Sequence, residues 1–125
     1  MIISPKTIAR FRRVLEKMYD GECVVTEYRQ ERDAVTKKTV FVETPVLTAQ
    51  PCRLSFSSSP VTGDDNVASV VQETKLFISP DVTIKKGSKI TVTQNGVTTE
   101  YEHSSEPKIY ATHQEITLKL FEGWA

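Results

Sequence analysis

The chain has 125 residues, 38% hydrophobic and 26% charged, which suits one soluble domain with a real core and excludes a mainly disordered chain. Its sixteen basic and sixteen acidic residues cancel, which argues against a dedicated nucleic-acid binder and leaves self-association undiscouraged. No apolar run reaches the length of a membrane helix, and the opening MIISPKTIARFRR lacks the basic-then-apolar order of a secretory signal, so an intracellular location without membrane contact is expected.

The zero net charge conceals an asymmetry. Residues 1–20 carry five basic groups and two acidic ones, whereas residues 57–74 carry three acidic groups, Asp64, Asp65 and Glu73, and no basic one.

The first element is an amphipathic helix within residues 1–21. Ser4 is a capping residue and Pro5 suits the first helical position. Ile8, Phe11, Leu15 and Met18 recur at helical spacing and predict the packed face. Lys6, Arg10, Arg13 and Lys17 lie opposite, with Arg12 at the flank, and this basic face is a candidate docking surface. Gly21 marks the expected left-handed stop.

From residue 22 onward the composition turns to β. Val, Ile and Thr supply 37 residues, 32 of them after Gly21. Branched side chains fit a pleated surface and lose freedom in helices. Strands are predicted at 22–30, 39–47, 51–57, 69–78, 89–94, 97–103, 108–113 and 115–121. The polar stretch 30–38 reads as a hairpin connection, Ser79-Pro80-Asp81 and Lys86-Gly87-Ser88 as turns, and Asn95-Gly96 as a two-residue hairpin. A tight turn near His113-Gln114 would pair the last two strands. The predicted fold is mainly β, a small antiparallel β-barrel of six to eight strands with one N-terminal α-helix, in a single domain over 1–125.

One long break interrupts this pattern at about 57–68. Ser57, Ser58, Ser59, Pro60, Val61, Thr62, Gly63, Asp64, Asp65, Asn66 and Val67 are rich in turn formers and poor in core residues. Loops of this length are uncommon in compact domains and are often functional.

No chemistry-bearing constellation accompanies it. Cys23 and Cys52 read as small buried strand residues. His103 and His113 read as solvated or strand-face histidines, without the further ligands a metal site requires. The Gly63–Asn66 carboxylates lack the alternating ligands of a calcium loop, and the serine run lacks a nucleophile elbow. No phosphate loop or dinucleotide fingerprint occurs. Neither an enzyme, a metal nor a cofactor is expected. Tyr28-Arg29 and Lys75-Leu76-Phe77 set aromatic residues beside basic ones, so an OB-like barrel binding single-stranded nucleic acid is the alternative reading.

The order of helix, small barrel and long loop comes with four segments. They are Pro51-Cys52-Arg53-Leu54-Ser55-Phe56, Leu76-Phe77-Ile78-Ser79-Pro80, the run Val82 to Val92, and Tyr110-Ala111-Thr112-His113-Gln114-Glu115-Ile116. Together they resemble the head-closure, or stopper, proteins of long-tailed bacteriophages and of defective prophages of the PBSX type. The resemblance implies a structural head–tail connector, made in the bacterial cytoplasm and residing at the head–tail interface of the virion. It implies a homo-oligomeric ring below the portal and adaptor, tail proteins as further partners, and DNA only as channel content. The long loop, here Ser57–Val67, would close the channel. An acidic Asp64-Asp65 tip is compatible with that role because it repels phosphate, and small residues allow close approach at a symmetry axis.

Overall fold

A computed structural model describes residues 4–62 and 68–124. It contains one helix, α1 (Pro5–Lys17), and seven strands: β1 (Gly21–Arg32), β2 (Thr39–Thr62), β3 (Ala68–Ile78), β4 (Lys89–Gln94), β5 (Val97–His103), β6 (Lys108–Ile109) and β7 (Gln114–Leu120). All the pairings are antiparallel, in the order β3-β2-β1-β4-β5-β7-β6. β3 also pairs with β7, so six strands form a ring and β6 hangs outside it. The mainly β fold with one N-terminal helix is the one read from the sequence.

The ring closes on a compact apolar core. Cys23 and Val25 of β1, Cys52 and Leu54 of β2, Leu76 and Ile78 of β3, Ile90 and Val92 of β4, Tyr101 of β5, and Ile116 and Leu118 of β7 are buried together with Ile84. In most strands they alternate along the chain, as a half-buried pleat requires. Both cysteines are free thiols. Hydrogen bonding with Cys23 and burial push the Cys52 thiol up, away from the reactive thiolate.

Two polar side chains complete the ring. β1 begins at Gly21, paired with Cys52 on one side and Gln94 on the other. Beyond that point the Gln94 side chain takes the place of a strand: its Oε1 accepts from Leu54 N at 2.8 Å and its Nε2 donates to Leu54 O at 3.4 Å. A Cβ on Gly21 would stand 3.1 Å from both Cys52 O and Gln94 Oε1, so glycine is required by proximity rather than by φ. At the other end, buried Gln114 donates to Ser79 O at 2.8 Å and Val82 O at 2.5 Å.

Four sequence expectations are corrected. The strands expected at 39–47 and 51–57 are one strand, β2, which bends at Ala49 (φ 50°) while the β1 register shifts between Cys23 and Thr26. This bulge absorbs the turn-like Thr48–Pro51 stretch without breaking the pairing. The strand expected at 108–113 ends at Ile109, because Tyr110 N donates to His113 O at 2.8 Å and their rings stack at 4.8 Å in a tight turn. The helix is capped by Ser4 as expected but stops at Lys17, and Gly21 opens β1 instead of ending the helix. The helical face is rotated: Ile8, Arg12, Leu15, Glu16 and Tyr19 are partly covered, while Phe11 and Met18 are 58% and 55% exposed. Of the two readings of His103, solvated or strand-face, the second holds: it lies on the inner face of β5, 2% exposed, with no hydrogen-bond partner on either ring nitrogen among the described residues. Asn95 (φ 53°) and Gly96 (φ 76°) make the expected two-residue hairpin.

Candidate functional site

The segment expected as a loop over 57–68 is largely a β ribbon. Ser57–Thr62 continue β2 and pair with β3 from Ser57↔Glu73 through Thr62↔Ala68. Gly63, Asp64, Asp65, Asn66 and Val67 lie outside the described residues. The turn-forming composition misled because Ser and Thr also extend readily when a partner strand faces them, and here Val70, Val71 and Gln72 supply one. Pro60 is accommodated because the outer edge of β2 is free there: β1 has already ended at its Cys52 pairing.

The ribbon is an arm. β3 meets β7 only at Thr74–Ile78, and β2 meets β1 only up to Cys52, so the six pairs from Ser57↔Glu73 outward pair with no third strand among the described residues. At about 3.4 Å per residue this arm extends roughly 20 Å beyond the ring. Its sequence is small, polar and free of basic residues. A second arm leaves the opposite end of β2. There Glu27↔Thr44 through Arg32↔Thr39 pair beyond the reach of β4, which stops at Thr26↔Lys89. The Asp33–Lys38 turn closes this arm, with Asp33 Oδ1 accepting from Val35 N at 2.8 Å and Thr36 N at 3.2 Å. Those bonds hold the Asp33 carboxyl below the usual carboxylate range.

The C-terminal segment braces the second arm. Trp124 stacks on Tyr28 at 4.8 Å, and Tyr28 stacks on Phe41 at 5.2 Å. Trp124 Nε1 donates to Glu43 Oε1 at 2.7 Å and Lys89 Nζ lies 3.0 Å from the same oxygen, which holds the Glu43 carboxyl below its ordinary value. Tyr28 therefore already stacks with two protein rings. Phe77, the other aromatic residue proposed for base stacking, lies partly covered in the groove beneath α1.

Helix α1 is clamped to the ring by Arg12. Its Nη2 donates to Ser79 Oγ at 2.5 Å and Asp81 Oδ2 at 2.6 Å, and its Nε donates to Glu16 at 3.1 Å. Arg12 was legible only as a flanking basic residue; the acceptors on the Ser79-Pro80-Asp81 turn are what assign its role. The expected docking residues Lys6, Arg10, Arg13 and Lys17 are all exposed, and none makes an ion pair among the described residues. The clamp turns Phe11, Val14 and Met18 toward solvent. Beside them lies a groove of about 330 Å³ lined by Leu15, Met18, Tyr19, Arg53, Phe77 and His113.

Among the described residues no group of three or more His, Cys, Asp and Glu side chains is placed to hold a metal ion. No helix there is long and apolar enough to cross a membrane.

No family model and no curated protein sequence matches the chain. A solved structure does: the phage-like element PBSX protein xkdH from Bacillus subtilis, at 13% identity and a TM-score of 0.51. The match covers 81% of this chain and 93% of that one. At this identity the likeness is one of fold.

Proposed function

We propose that the protein is a structural component of a tailed phage or prophage, a head–tail connector that forms a ring below the portal and adaptor and closes the DNA channel. The observation that carries this reading is the β2–β3 arm. A two-stranded ribbon standing clear of its sheet is marginal alone, so an arm of this length has its use in contact with something else. Its free edges suit pairing with neighbouring copies, and its lack of basic residues suits a surface that faces DNA without holding it. The fold shared with a prophage protein agrees with this reading, as do the exposed cations Lys6, Arg10, Arg13 and Lys17, which offer a surface to a neighbour or to the adaptor. In this reading the arm, built of Ser57–Thr62 and Ala68–Glu73, lines or plugs the channel, and DNA is cargo.

The test replaces residues 60–70 by Asn-Gly, so that the Ser59↔Val71 pair becomes the base of a two-residue turn. The ring pairings are untouched, and the variant is expected to fold and to join heads. Tailless heads carrying it should lose packaged DNA, measured by nuclease sensitivity. Full retention of DNA by folded, incorporated variant overturns the channel-closing role.

A further inference from the structure

We infer that the groove between α1, strands β2 and β3 and the turn at His113 is a docking site for an acidic amphipathic segment of a partner protein. This concerns the chemistry of a partner and does not rest on the channel-closing role of the arm.

Three observations converge on it. First, the helix leaves a continuous apolar stripe in water: Phe11, Val14 and Met18 follow one another at i, i+3 and i+7 and are 58%, 55% and 55% exposed. Large apolar residues scattered singly are ordinary on a surface, but a stripe aligned along a groove is not. Second, the stripe borders the groove of about 330 Å³, which Leu15, Met18, Tyr19 and Phe77 make apolar. An apolar side chain entering it would release water held against these apolar walls. Third, the rim is positive. Lys6, Arg10, Arg13 and Lys17 flank the stripe on its far side and Arg53 borders the groove; none of these five makes an ion pair among the described residues. The acidic groups nearby are engaged elsewhere: Glu16 and Asp81 by Arg12, and Glu115 by Lys75 and His113.

The arrangement therefore selects for apolar side chains at helical spacing flanked by carboxylates. The groove is concave and takes side chains end-on, which a planar lipid surface cannot supply. That favours a protein segment over an anionic membrane, which the basic amphipathic helix alone would also suit.

The probe is a fluorescein-labelled helical peptide of about 16 residues with Leu at i, i+3, i+4 and i+7 and Glu elsewhere, titrated with the full chain. Saturable one-to-one binding is expected, weakened about tenfold or more by high salt. Val14→Glu should abolish it. Arg10→Glu with Arg13→Glu should weaken it at least tenfold. Both variants alter exposed positions and should keep the wild-type melting temperature; if Val14→Glu does not fold, Met18→Gln serves in its place and should weaken binding at least fivefold. The same peptide with Lys for Glu should not bind. The inference is overturned if the Glu peptide does not saturate, or if a leucine-free Glu peptide binds equally well. It is also overturned if phosphatidylserine vesicles bind the chain and Val14→Glu releases them. Self-association that Val14→Glu removes overturns it too, since the occupant would then be a second copy.

Discussion

Replacing Arg12 by Ala should release helix α1 from the ring while leaving the ring folded. No residue of α1 is fully buried, and a helix of 13 residues is marginal in water by itself, so its order depends on docking. Arg12 supplies two bonds that dock it, to Ser79 and Asp81, while its third, to Glu16, lies within the helix. The Asp81 carboxylate is 75% exposed, so that ion pair contributes about 0.5–1 kcal/mol despite its 2.6 Å length. The bond to the buried Ser79 hydroxyl contributes about 1.5 kcal/mol, since its donor is charged and its acceptor is shielded. Ser79 keeps a 3.2 Å bond from Asp81 N, which limits the loss, and the total is about 2 kcal/mol. That corresponds to roughly a 30-fold rise in the opened fraction of α1. Amide exchange resolves it: helix amides from Ile8 to Lys17 should lose about 30-fold in protection, while those of Ile90, Val92, Ile116 and Leu118 keep theirs. Unchanged helix protection would show that apolar contact alone holds α1. An equal loss in the ring amides would show that helix and ring unfold as one unit.

Other substitutions probe the ring and its brace. His103→Leu should raise stability by about 1–2 kcal/mol in urea titration, because it removes two buried nitrogens that lack partners; a loss would mean that a bound water or an alternative rotamer satisfies them. Gly21→Ala should cost about 1–2 kcal/mol, with much of that loss absent in a Gln94→Ser background, where one of the two 3.1 Å neighbours is gone. Trp124, the single tryptophan, should report a local acid transition. The Glu43 carboxyl is held down by Trp124 and Lys89, so its contribution is complete above the ordinary carboxylate range and disappears as the pH falls through its lowered folded value. Tryptophan fluorescence should therefore change at a pH below the ordinary Glu value of 4.5, and Glu43→Gln should remove the transition.

Much of the fold was legible because its local signals agree with its tertiary pairing. β4 and β5 begin and end where alternation and Asn95-Gly96 place them, since a two-residue turn fixes the register by itself. The helix cap at Ser4-Pro5 is equally local. What could not be read depended on partners distant in sequence. The covered face of α1 is set by Ser79 and Asp81, more than sixty residues away, which draw Arg12 inward and turn Phe11 outward. The serine-rich run appeared to be a loop because its extended state is imposed by β3 rather than by its own residues. That His103 faces inward follows from its standing two residues from Tyr101 on the same strand face, a register fact with no signature in the identity of the residue. For the candidate site, the basic face was visible as spacing, whereas the groove beside it arises only when Arg53, Phe77 and His113 are brought together from two different strands and a turn.

The length of β2 also has a mechanical meaning. One covalent backbone, Thr39–Thr62, runs from the β1–β2 arm through the ring wall to the β2–β3 arm, a contour of roughly 80 Å at full extension. Tension applied to either arm along this line loads the ladders with β1 and β3 in shear, where many hydrogen bonds resist together, instead of opening them one at a time. The pairing on this line is already relaxed at two neighbouring register shifts, opposite Cys23–Val25 and Val25–Thr26, so the Pro45–Gln50 stretch around Ala49 is where a pulled strand would first straighten.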